Sequence, residues 1–283
     1  MQFLDNIFFA LLLAIGIGYF AINVKKLIRN IKLGHDVDRS DNASERWKNM
    51  TMVALGQSKM VKRPVAGFLH IIVYVGFVII NIEVIEIIID GLFGTHRVLS
   101  FMGGFYDVLI GSFEILAFLV LITVIIFWIR RNVTKLGRFA SSDLDGKPRN
   151  DANYILYFEV VLMSLFLLMN AADFHLQNLG IGHYNQAGSF PISQFIAPMF
   201  NGMSEGLVVI IERAAWWLHI AGILVFLNYL YFSKHLHILL AFPNTYFADL
   251  NAKGKLNNLE SVTNEVKLMM DPSADPFAAP ANP

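Results

Sequence analysis

The chain has 283 residues, 55% of them hydrophobic and 16% charged, with a mean hydropathy of +0.53; soluble domains carry about 25% charged residues, so the composition excludes an ordinary soluble domain and points to membrane spans. Lys+Arg and Asp+Glu each total 22, which leaves no basic excess for a nucleic-acid partner. The absence of cysteine excludes disulfides, cysteine-ligated iron–sulfur clusters in this chain and covalently attached c-type haem, and it makes the eight histidines the main chemical resource.

The first apolar run covers about residues 3–24. It has no basic segment ahead of it and no small-residue cleavage site, so it reads as a retained helix. The basic cluster Lys25, Lys26, Arg29 and Lys32 follows it. Residues 33–59 are polar, with a short amphipathic helix expected around 43–55. Further apolar runs lie at about 64–92, 106–129, 153–176 and 204–241. Each reaches the ~20 residues that a spanning helix needs. The chain therefore divides into a five-helix membrane domain, 1–243, and a tail, 244–283, that ends in a Pro/Ala-rich linker.

The loops differ sharply in charge. Residues 25–67 carry ten Lys/Arg and 130–153 carry six, whereas 93–105 carries only Arg97 and 177–203 carries none. The positive-inside rule then puts the N-terminus outside and the C-terminus inside a prokaryotic inner membrane.

His219 and His237 are 18 residues apart on the fifth run. On one continuous helix that is five turns, so the two share a face with a rise of ~27 Å between them. His235, about 200° round the same helix, faces elsewhere. His70 follows Pro64 by six residues and His237 precedes Pro243 by six, so their depths match. Together they suit the two axial positions of one haem iron. A histidine near a helix end is as often an interfacial side chain reaching water, a description that fits His235 beside Lys234. It fits His219 poorly, because an ionisable group deep in a span is costly. Depth arithmetic makes His175 the candidate partner of His219 in an outer haem, with His96 and His183 as weaker alternatives in outer loops. Glu83 and Glu86 share a face of the second run and form a candidate proton path. Trp216 and Trp217 either flank a cofactor or belong to an interfacial aromatic belt.

The segment WWLHIAGILVFLNYLYFSKHLHILLAFPNTYF, 216–247, resembles the gamma-subunit family of dihaem cytochromes b in nitrate reductases. More closely, it is similar to the N-terminal membrane module of heterodisulfide-reductase-like iron–sulfur oxidoreductases. The resemblance implies an all-α integral membrane bundle that holds one or two haems b. It implies His70 and His237 at the cytoplasmic-side haem and His219 at the outer one. The family's second outer ligand lies ten residues after the first helix-two histidine, and that position here is Ile80. The expected function is electron transfer between a quinone pool, menaquinone or ubiquinone, and a cytoplasmic iron–sulfur domain or subunit within a larger complex. The rival expectation is a non-redox membrane subunit, either a proton or ion conductor lined by Glu83 and Glu86 or a plain anchor.

Overall fold

The computed structural model describes residues 2–134, 136–139, 141–251, 254, 258–271 and 273. The Pro/Ala-rich end of the tail, 274–283, lies outside the described residues. All regular structure among them is helical. Five helices are long and apolar enough to cross a membrane: α1 (Gln2–Ile31), α3 (Pro64–Phe93), α4 (Gly104–Asn132), α5 (Lys147–Leu179) and α7 (Glu205–Leu230). Shorter α-helices lie between them, α2 (Ala43–Met50) and α6 (Ser193–Ile196), and after them, α8 (His237–Tyr246) and α9 (Glu260–Met270). The expected amphipathic segment at 43–55 is α2 followed by a π-helical turn to Leu55.

Local chemistry sets the ends of the spans. α3 starts on Pro64, whose missing N–H belongs to a position with no helical partner, and stops at Gly94, whose φ of 70° suits glycine. α5 likewise carries a proline in its first turn and stops at Gly180, φ 66°.

The spans close into a ring. α1 packs on α3, α3 on α4, α4 on α5, α5 on α7, and α7 back on α1. Close approach at two seams depends on missing side chains, as is common between helices in lipid. A Cβ on Gly76 would stand 2.5 Å from Val120, and one on Gly222 would stand 2.8 Å from Leu162. Large apolar side chains such as Phe3, Ile15, Phe68 and Val108 point outward and are exposed, which is the surface a lipid phase covers.

The run at 204–241 is not one helix, contrary to the reading from its hydropathy. α7 ends at Leu230, a turn follows, and α8 begins at His237. The cause is polar capping. The Ser233 hydroxyl accepts from His235 N at 3.1 Å, and Asp151 at the start of α5 accepts from Lys234 N at 3.2 Å and from the Tyr229 hydroxyl at 2.7 Å. α8 lies against α2. Arg46 donates to the carbonyls of Tyr246 (3.2 Å) and Ala248 (2.9 Å) and pairs with Asp41 at 2.6 Å.

Candidate functional site

The polar side chains of the bundle gather at its two ends. One end holds His70, His235 and His237. The helix break moves His237 off the α7 axis, so the face that it was expected to share with His219 does not exist. It also brings His235 into the group: the His235 and His237 rings lie 5.3 Å apart, and both interact electrostatically with His70. His237 is exposed, and its Nδ1 donates to Lys234 O at 3.0 Å. A carbonyl only accepts, so the Nδ1 carries the proton, and in the neutral ring Nε2 is then bare, the form in which imidazole ligates a metal. The His70 Nδ1 is buried and has no hydrogen-bond partner among the described residues. Burial pushes the pKa of His235 down to about 4, helped by the neighbouring His237, so that ring is neutral at physiological pH.

Among the described residues no three His, Asp or Glu side chains converge as they do around a bound metal ion. A haem iron asks less of the protein, since axial ligands alone come from side chains. The bare Nε2 of His237 and the orphaned Nδ1 of His70 fit that demand.

His219 is 1% exposed, with its Nδ1 donating to Leu162 O at 3.0 Å and its ring 5.7 Å from Phe166. Here too the bare nitrogen is Nε2. The adjoining cavity is only ≈ 80 Å³, walled by Val73, Phe77, Ile80, Leu162 and Phe226, with Glu159 at its edge. Sites for drug-sized ligands measure about 300–1,000 Å³, so the space beside His219 is smaller than such a site. His175 does not meet it. It lies 13 residues beyond Leu162 on α5, about 20 Å along the axis, with its ring 5.9 Å from Phe200. Depth arithmetic failed because it took α7 and α8 as one rod.

The other end of the bundle encloses a cavity of ≈ 650 Å³. α1 contributes Phe9, α3 contributes Glu83, Glu86 and Asp90, the following loop His96 and Arg97, α5 Asp173, the loop before α6 His183, and α7 Glu212, Arg213, Trp216 and Trp217. Arg97 organises it. It is 7% exposed, and its backbone is held in the left-handed region at φ 51°. Its guanidinium donates to Asp173 Oδ2 (2.7 Å) and Asn170 Oδ1 (2.9 Å), lies 3.7 Å from Glu83 Oε1 and covers the Phe190 ring. Burial alone would lower its pKa. The charge of Asp173, then Tyr106 and Glu83, more than reverses this and holds it well above the usual value.

The two carboxylates expected to form a proton path both line this cavity. Glu86 accepts from Leu99 N at 2.9 Å and from the Tyr106 hydroxyl at 2.9 Å, whereas the Glu83 Oε2 is buried and unpartnered among the described residues. Asp90 is occupied in holding the loop, accepting from the backbone of Arg97 and Val98. The sequence reading missed the pairing of His96 with Asp173 (Nε2 to Oδ1, 3.0 Å) and the hydrogen bond that the Tyr184 hydroxyl donates to Glu212. It also missed Glu114, which anchors the segment leading into α6 by accepting from Ile192 N and Ser193 N. One signal was available: Arg97 is the single basic residue in an otherwise uncharged pair of loops.

No family model matches the chain, and no solved structure matches it significantly. Among curated proteins it is 31% identical over 263 residues, 93% of its length, to a probable iron–sulfur-binding oxidoreductase, FadF, of Bacillus subtilis. It is 25% identical over 232 residues, 80% of its length, to an EtfAB:quinone oxidoreductase of Syntrophomonas wolfei. The chain spans 35% and 31% of the lengths of these relatives. These similarities tie this five-span helical chain to oxidoreductase-related proteins.

Proposed function

We propose that this chain is the membrane cytochrome b part of a quinone-linked oxidoreductase, passing electrons between a quinone and an iron–sulfur partner. The likeness to an iron–sulfur-binding oxidoreductase and to a quinone oxidoreductase carries the reading. The histidine geometry supports it, with His70 and His237 as the residues that would hold one haem. Bound there, a haem supplies a one-electron carrier. The Nδ1–H bond of His237 to a backbone carbonyl fixes its tautomer, and the position of His70 on α3 presents a nitrogen that nothing else uses. The tight cavity beside His219 speaks for one haem in this geometry rather than a second one shared with His175. The concentration of Lys and Arg in 25–67 and 130–153 supports an inward-facing His70 end, where an iron–sulfur partner would dock.

The test is a dithionite-reduced minus oxidised spectrum of the purified protein. The wild type is expected to show the sharp α band of haem b, and His70→Ala and His237→Ala each to abolish it. His175→Ala is expected to leave it intact. A wild type with no α band overturns the proposal and leaves the non-redox membrane subunit as the reading.

A further inference from the structure

The quinone-linked reading leaves open where a quinone would sit and what would hold it. We propose that the ≈ 650 Å³ cavity is a headgroup site for a quinone and its hydroquinone, with the Nδ1 of His96 accepting the hydrogen bond of a hydroquinone hydroxyl. The proposal rests on the quinone-linked reading for the class of ligand, and on the local geometry for the residue.

Four observations converge on His96. Its Nε2 lies 3.0 Å from Asp173 Oδ1, and Asp173 is itself ion-paired with Arg97 at 2.7 Å. An ionised carboxylate only accepts, so the Nε2 carries the hydrogen, and in the neutral imidazole the Nδ1 then presents a lone pair. That Nδ1 is buried and unpartnered among the described residues. A buried acceptor without a donor carries a desolvation penalty that a ligand hydroxyl would remove. His96 also lines a cavity within the size range of cofactor sites.

The rest of the wall suits the same ligand. The Phe9 and Trp216 rings lie 5.1 Å apart, and Trp216 and Trp217 lie 5.3 Å apart, forming an aromatic surface. A quinone head is a flat ring with polar groups on its edges, so it meets aromatic faces and one edge-on acceptor. When the hydroquinone gives up a proton, its O–H bond breaks, the oxygen keeps the electron pair and an N–H bond forms at Nδ1. The carboxylate of Asp173 faces the imidazolium so formed.

The test uses the purified full chain in detergent. Trp216 and Trp217 line the cavity, so a short-chain naphthohydroquinone bound there is expected to quench tryptophan fluorescence saturably. His96→Ala is expected to weaken binding about tenfold, the order of one lost hydrogen bond. His96→Gln, which keeps an acceptor and a donor, is expected to stay within about threefold of wild type. An azido-naphthoquinone photolabel, which needs no variant, is expected to mark residues 5–9, 83–101, 169–173, 183–185 or 212–217. Wild-type protein that gives no saturable quenching would overturn the quinone-linked reading itself. Saturable wild-type binding that His96→Ala leaves unchanged, or a label confined to other segments, would overturn only the assignment to His96 and this cavity.

Discussion

Arg97 shows how much one side chain can decide in a low-dielectric interior. Three acidic or amide groups from two helices converge on it: Glu83 of α3, and Asn170 and Asp173 of α5. Removing one partner of such a pair leaves an uncompensated buried charge, which costs about 3–5 kcal/mol. Arg97→Met is therefore expected to destabilise the protein by that order, read as a lower unfolding temperature in detergent. Arg97→Lys is expected to recover only part of it, because an ammonium cannot reproduce the two-pronged contact to Asp173 and Asn170. Little of this was legible beforehand. Arg97 stood out in the sequence only as a lone base in an uncharged loop. Its burial depends on Asp173, 76 residues away, and no local pattern encodes that separation.

At the scale of elements, the spans were legible and their interruptions were not. Long apolar runs announce a spanning helix whatever surrounds them, so each of the five runs overlaps one. Their polar extensions were not visible, such as α5 starting at Lys147 rather than near residue 153. Nor was the break after Leu230, where no glycine or proline marks the sequence. Ser233 and the distant Asp151 make it, and only the serine is a local cue. That break misdirected the pairing of His219 with His175 and the exclusion of His235. The α5–α7 seam shows a finer dependence. A side chain at Gly222 would strike Leu162, whose carbonyl holds His219. Gly222→Leu is expected to destabilise the fold by about 1–3 kcal/mol through overpacking. It is also expected to part the two helices, which a thermal melt with a cross-linking pair across the seam would detect.

At the scale of the whole molecule, charge divides the ring of helices into two ends. The histidine end carries the basic loops, and the cavity end buries Arg97 among Glu83, Glu86 and Asp173. The lack of native cysteine makes the orientation directly measurable. Single cysteines at Phe195, beside the cavity end, and at Asp36, in the basic loop, would be the sole thiols. Phe195→Cys is expected to react with a membrane-impermeant maleimide in intact cells, and Asp36→Cys only after permeabilisation. The opposite pattern would invert the topology and place the basic loops outside. The ring also has a temporal order. Arg97 leaves the ribosome 76 residues before Asp173. At about 5–20 residues per second, roughly 4–15 s of synthesis separates the cation from its counter-ion. Until then the α3–α4 hairpin holds a guanidinium that lacks its closest counter-ion. The hairpin is therefore a provisional structure that the arrival of α5 makes permanent, before α7 brings Glu212, Arg213, Trp216 and Trp217 to complete the wall of the large cavity.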